Sequence, residues 1–209
     1  MMGDLYDRAL DGERCWIRRD DGEVRNLPVR RWLGGQHADE QFDRAIVDLC
    51  DGPTIDLGCG PGRLVVDLIH RGIPALGVDQ SATAAQLARR IGAPVLCRDL
   101  FDALPGTGHW RNALLADGNI GLGGDPRRLL RRVRELLSRG GRCIAELDPA
   151  ISGVRTGTVR LESSNAIGPW FRWASVGVDS GAELANGVGL VLTGLHPVGS
   201  RVLATLAIR

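Results

Sequence analysis

The sequence predicts an α/β fold, a mostly parallel sheet with helices on both faces, and three observations point to it. From about residue 38 to 147, short β-prone apolar runs alternate with amphipathic helical runs. The first of those strands opens through a glycine-rich turn, Gly58-Cys59-Gly60-Pro61-Gly62, directly into a helix. After residue 188, two apolar runs, Gly189 to Thr193 and Arg201 to Ile208, flank the turn-rich Leu195 to Ser200 and read as an antiparallel pair closing the sheet.

Taken in order, Ala38 to Cys50 carries Phe42, Ile46, Val47 and Leu49 at helical spacing, and Pro53 to Leu57 is the first strand. A helix from Pro61 to about Arg71 turns Leu64, Val65, Leu68 and Ile69 inward. Ala75 to Val78 is the second strand, Ser81 is the N-cap of a helix reaching Arg90, and Pro94 to Cys97 is a short third strand. Asn112 to Ala116 is the fourth. Asp125 caps the next helix, with Pro126 in its first turn, a stripe of Leu129, Leu130, Val133, Leu136 and Leu137, and Gly140-Gly141 as its stop. Arg142 to Leu147 is the fifth strand. Beyond Asp148-Pro149 the alternation breaks, and Val154 to Leu161 with Trp170 to Val176 reads as a hairpin-like insertion, followed by a short helix from Asp179 to Ala185. The chain is expected to be a single domain: residues 1–37 an amino-terminal cap, 38–148 the ligand-binding half, 149–177 an insertion, and 178–209 a helix and strand pair.

Composition narrows the function. The 26 basic residues nearly balance 25 acids, for a net charge of +1, which does not indicate a global grip on nucleic acid or on an acidic membrane. Every basic residue is arginine, so Schiff-base chemistry, a lysine base and a phosphate-loop lysine are excluded. The five cysteines never fall in metal-ligand or Cys-x-x-Cys spacing and read as reduced thiols of a cytoplasmic protein, and no metal is expected. No run approaches the 18 or more apolar residues of a membrane span, and the amino terminus lacks the apolar core of a signal peptide.

The glycine turn carries the chemistry. It places bare backbone and a helix amino terminus at the carboxyl edge of the sheet. The dinucleotide fingerprint Gly-x-Gly-x-x-Gly would need glycine at position 63, where Arg63 stands, and Asp56 just before the loop would repel a diphosphate. A carboxylate there suits a ligand with an ammonium group.

Asp56-Leu-Gly58-Cys59-Gly60-Pro-Gly62 resembles the first motif of the class I S-adenosylmethionine-dependent methyltransferases, and the match extends in order over roughly residues 53 to 148. The resemblance implies a Rossmann-like, mostly parallel seven-stranded sheet with an antiparallel last strand. It implies S-adenosylmethionine as cofactor and S-adenosylhomocysteine as product, with Gly58, Cys59, Gly60 and Gly62 packing under the methionine part and Asp56 facing the amino group. Asp79, ending Leu76-Gly-Val-Asp79, resembles the acid that takes the ribose hydroxyls, with Gln80 beside it; a carboxylate has the acceptor geometry for a vicinal diol. Asp99 in Cys97-Arg-Asp99-Leu100 resembles the acceptor for the adenine amine, with Leu100 backbone at the ring edge. Asp117 and Asn119, in the glycine-rich stretch after the fourth strand, fall where the family places residues beside the transferable methyl. That stretch is similar to a group of small bacterial methyltransferases without a well-defined common substrate, and its Asn-Ile-Gly departs from the signature of amine and nucleobase methyltransferases.

The expected reaction is methyl transfer to a small-molecule acceptor, at oxygen, by in-line displacement. An oxygen nucleophile calls for a base. Of His37, His70, His109 and His196, His109 is the candidate, although it precedes the fourth strand whose other end carries Asp117. Trp170-Phe171-Arg172-Trp173 is expected to roof the acceptor pocket or to pack under its own hairpin, and Trp16 and Trp32 to form a lid, with Arg30 or Arg31 on the cofactor carboxylate. The arginines of Pro126 to Gly140 (Arg127, Arg128, Arg131, Arg132, Arg134) read as a solvated helix face rather than an RNA stripe, so no nucleic-acid partner is expected, and the chain is expected to be a monomer or homodimer. Two rival readings stay open: an NAD(P)-dependent oxidoreductase, disfavoured by Arg63 and by the lack of a Tyr-x-x-x-Lys pair, and a non-catalytic S-adenosylmethionine-binding domain.

Overall fold

The computed structural model describes residues 3–34 and 37–209. In chain order the elements are α1 (Gly3–Leu10), β1 (Cys15–Arg19), β2 (Val24–Asn26), α2 (Val29–Trp32), α3 (His37–Asp48), β3 (Thr54–Leu57), α4 (Arg63–His70), β4 (Ala75–Asp79) and α5 (Ala82–Arg90). They continue as β5 (Val95–Cys97), β6 (Trp110–Leu115), α6 (Pro126–Leu136), β7 (Leu137–Leu147), β8 (Val154–Ser163), β9 (Phe171–Val176), α7 (Gly181–Asn186), β10 (Leu190–Val198) and β11 (Arg201–Ile208). Among the described residues no helix is long and apolar enough to cross a membrane.

Seven strands form the central sheet in the order β10-β11-β7-β6-β3-β4-β5. β5, β4, β3, β6 and β7 are mutually parallel, and β11 runs antiparallel to both β7 and β10. Strand alternation divides the core. Ala113 and Leu115 of β6 face one cluster with Leu129, Leu130, Val133 and Leu136 of α6, while Leu114 faces the other with Phe42, Ile46, Leu64 and Leu68 of α3 and α4. The four α6 side chains are fully buried, a burial that contributes about 1.5–3 kcal/mol each before ordering entropy is subtracted. Chain order reverses between β3 and β6, which opens a crevice at the carboxyl ends of the strands, the usual ligand position in such sheets.

Both expected caps form: the Ser81 hydroxyl accepts from the Ala84 N–H and the Asp125 carboxylate from the Arg128 N–H. Three expectations need correction. α6 ends at Leu136 rather than at Gly140-Gly141, because Leu137 is already extended and pairs with Trp110, so β7 begins five residues before Arg142. The stretch Leu195 to Val198 is strand, not turn; Pro197 fits because β10 is an edge strand. The amino-terminal segment also contains strands. β1 and β2 join the expected β8–β9 hairpin in a second, antiparallel sheet of order β2-β1-β8-β9, with Trp16 opposite Glu162 and Ile17 opposite Leu161.

Candidate active site between two sheets

A cavity of about 890 Å³ lies between the carboxyl ends of the central strands and the four-stranded sheet, which roofs it with Ile17, Val159, Leu161, Phe171 and Trp173. Gly58, Cys59, Gly60, Asp79, Gln80, Asp99, Leu100, Asp117 and Asn119 all line it. The crevice therefore brings together nine of the residues singled out from the sequence, spread over four strand ends.

The loop after β3 is held from two sides. The Gly60 N–H donates to Asp79 Oδ2 and the Ser81 N–H to Asp79 Oδ1, each at 2.8 Å. The Asn119 amide donates to the Leu57 and Gly58 carbonyls at 3.1 and 2.9 Å, so Asn119 braces the loop; a Cβ on Gly58 would lie 2.6 Å from its Nδ2. At Gly60 (φ +53°) the only near neighbour of an added Cβ among the described residues would be the Tyr6 hydroxyl at 3.3 Å, leaving bare backbone toward the cavity. Gly62 (φ +87°) has a different job from the one expected of it. It faces away from the cavity, where a Cβ would meet Ala88 Cβ at 2.8 Å and Ala93 Cβ at 2.9 Å, and so it lets α4 start tight against α5.

The acids differ in state. Burial raises the Asp79 carboxyl, which its N–H donors partly offset. Asp99 accepts from the Phe101 N–H at 2.9 Å. Asp117, the one non-glycine residue at positive φ (+53°) among those described, sits between the Arg63 and Arg201 guanidiniums at 2.8 and 2.7 Å. Burial works to raise its carboxyl, but those two cations outweigh it and hold it below the usual range. Asp117 is thus a fixed anion and a poor base.

Asp56 lies beneath the loop, outside the cavity lining, with Oδ1 lacking a hydrogen-bond partner among the described residues. Burial pushes its carboxyl up to about 7 against the pull of Arg63. A carboxyl raised in the folded state contributes stability that is complete below its unfolded value of about 3.9 and is lost as the pH rises through the folded one. Urea denaturation is therefore expected to show stability falling from about pH 4 to about pH 7 through this group, and Asp56→Asn to flatten that fall by on the order of a few kcal/mol. A wild-type slope in the variant would show that Asp56 does not titrate there.

His109 is not part of the site. β6 runs from Trp110 to Leu115 toward the cavity, so His109 stands at its far end, exposed, with Nδ1 on the Thr107 carbonyl at 3.0 Å. Nor does any other described histidine line the cavity; the side chain of His37 lies outside the described residues. Among the aromatics, Phe171 and Trp173 pack edge to face at 6.4 Å on the cavity side, whereas Trp170 is exposed outside it, stacked under Arg160 at 4.6 Å. Trp32 lines the cavity and packs on Tyr6 at 5.6 Å, while Trp16 donates to Glu162 away from it. Arg31 approaches Asp117 at 3.9 Å.

Two residues escaped the sequence reading. Tyr6 brings a phenol to the glycine loop, held un-ionised by burial and then by the Asp79 charge; the spacing of Leu5 and Ala9, both buried, is the signal that α1 turns a face inward. Arg63 counted only as a missing glycine, yet it lines the cavity and bridges Asp43 and Asp117 there.

No protein-family model and no curated protein matches this chain. Solved structures do. A methyltransferase from Bacteroides fragilis, in complex with S-adenosyl-L-homocysteine, superposes at a TM-score of 0.78 over 99% of this chain and 94% of its own, with 17% identity. The fold is therefore that of the class I S-adenosylmethionine-dependent methyltransferases. The 1,6-didemethyltoxoflavin-N1-methyltransferase of Burkholderia thailandensis matches at 0.62 and 18% identity over 84% of this chain and 80% of its own. A sugar N-methyltransferase from Streptoalloteichus matches at 0.61 and 18% over 83% and 87%.

Proposed function

We propose that the protein is an S-adenosylmethionine-dependent methyltransferase acting on a small-molecule acceptor at oxygen. The observation that carries the cofactor assignment is the loop itself: bare Gly60 backbone between Asp79 and the buried Asp56, whose Oδ1 lacks a partner among the described residues. An ammonium group acting through water satisfies such an atom, and a diphosphate does not. Asp79 uses one lone pair of each oxygen on backbone N–H groups and keeps others for two ribose hydroxyls. Asp99 and Leu100 would take the adenine, and Asp117 and Asn119 would flank the methyl. The neighbouring structures support the cofactor assignment, two of them bearing S-adenosylhomocysteine.

When bound, the cofactor supplies a methyl on a cationic sulfur. Asp117 is unsuited to accept a proton, and no described histidine lines the cavity. An acceptor oxygen already ionised at neutral pH, such as a carboxylate or acidic phenol, needs no protein base. For such a nucleophile the protein's work is alignment under a water-excluding roof, worth roughly 7–11 kcal/mol when the reacting pair is held in line.

Calorimetric titration with S-adenosylmethionine and S-adenosylhomocysteine, with NAD as control, tests the cofactor assignment. Micromolar binding of both is expected, weakened at least about tenfold by Asp79→Ala through lost charge-assisted hydrogen bonds. Binding of NAD instead, or of nothing, would overturn it.

A further inference from the structure

The arginines lining the cavity fall into two groups. Arg19, Arg25, Arg63 and Arg155 each have carboxylates within ion-pair reach: Arg63 holds Asp43 and Asp117, Arg25 holds Glu23, Arg155 holds Asp21, and Arg19 lies 3.6 Å from Asp21. Arg98, Arg128 and Arg172 also line the cavity without a carboxylate partner among the described residues; Arg98 donates to the Ala103 carbonyl at 2.7 Å, which leaves Arg128 and Arg172.

Both rise from one rim. Arg128, in the first turn of α6, lays its guanidinium over the Phe101 ring at 4.0 Å, which orients it. Arg172 leaves β9 over the Gly123-Gly124 turn that leads into α6, where a Cβ on Gly124 would lie 2.7 Å from Arg172 Cβ. The acids nearest this rim in sequence each accept a backbone N–H rather than either guanidinium: Asp125 Oδ1 accepts the Arg128 N–H and Asp99 Oδ1 the Phe101 N–H. The same cavity is lined by the apolar roof residues Phe171, Trp173 and Leu161, the first two flanking Arg172 on β9.

Resting on the methyltransferase reading above, we propose that the acceptor is a small molecule with an aromatic or apolar body and an anionic substituent, a carboxylate, sulfonate or phosphate, with the body under Phe171 and Trp173 and the anion held by Arg128 and Arg172. A nucleic-acid backbone fits less well, because three of the four other α6 arginines already have partners. Arg132 donates to the Leu100 and Asp102 carbonyls, Arg131 to the Arg127 carbonyl, and Arg127 to Glu183. They leave no phosphate track along the helix.

The test uses two dyes that share an aromatic body and differ in charge, 8-anilinonaphthalene-1-sulfonate and neutral N-phenyl-1-naphthylamine, titrated by fluorescence into the full chain with and without saturating S-adenosylhomocysteine. The sulfonate is expected to bind at least about tenfold more tightly than the amine. Arg128→Gln with Arg172→Gln should remove that preference while leaving the amine and S-adenosylhomocysteine affinities unchanged. Arg127→Gln, outside the cavity, should change nothing. Equal affinity for the two dyes, an unaffected sulfonate in the double variant, or an equal loss with Arg127→Gln would overturn the proposal. Failure of wild-type protein to bind S-adenosylhomocysteine would sink the cofactor reading separately, and the dye comparison without it would still decide the anion site.

Discussion

Arg63→Met is expected to destabilise the fold by about 3–5 kcal/mol at pH 7, the usual cost of removing one partner from a buried ion pair. Arg63 is the hub of a network with Asp43 and Asp117 at 2.8 Å each, and all three side chains are only 10–12% exposed. Methionine fills much of the volume and leaves two carboxylates uncompensated. It also removes the main influence holding the Asp56 carboxyl down, so that group adds to the loss. The pH dependence is specific. Asp117 is lowered in the folded state, so its contribution is present above the unfolded value of about 3.9 and lost as pH falls through the folded one. Without Arg63 its carboxyl rises, so the gap between wild type and variant, read by urea denaturation, should be widest near neutral pH and narrow below about pH 4. Adding Asp117→Asn should recover part of the loss; a gap below about 1 kcal/mol would place the network among solvated pairs.

Gly121→Ala is expected to cost about 3 kcal/mol or more, at the upper end for overpacking. The residue ends the short turn Asn119–Gly121 after β6 and carries no unusual φ; what forbids a side chain is space. An added Cβ would overlap the Ala174 carbonyl oxygen and lie 2.9 Å from Trp173 Nε1. The obstacle is largely backbone, so β9 itself must move and the neighbouring Leu122–Trp173 bridge must open. Hydrogen exchange should report β9 as the weakened element. Gly123→Ala is the contrast: its Cβ would have only Phe101 nearby, at 3.8 Å, and the cost should be the about 1–2 kcal/mol of a left-handed backbone (φ +74°). Equal losses at the two positions would contradict the packing of floor against roof.

The central sheet was legible because its strands repeat one local pattern, and Asp79 and Asp99 because each falls at the end of such a strand. β1 was not: Cys-Trp-Ile-Arg-Arg alternates too briefly to distinguish from a loop, and it becomes a strand only by pairing with β8. The ionic floor was hidden for the same kind of reason. Arg201 meets Asp117 across 84 residues, and no local spacing encodes that meeting. His109 shows the converse, since its type suits a base while strand direction puts it at the wrong edge. Gly62 matched a motif for ligand approach, and the structure gives it helix packing.

The roof joins β1 to β8, with Trp16 bonding Glu162 from 146 positions away. The five parallel strands of the sheet can assemble from contacts between neighbouring segments, but the chamber above them closes only when two distant stretches find each other, a step with a larger loop-closure cost. Until β1 docks, β8 presents a free hydrogen-bonding edge, long and partly apolar, of the kind that recruits other chains. Loss of the first 26 residues would therefore do more than open a pocket: it would turn an internal seam into an aggregation-prone border. The amino-terminal strand thus acts as an edge guard as well as part of the site.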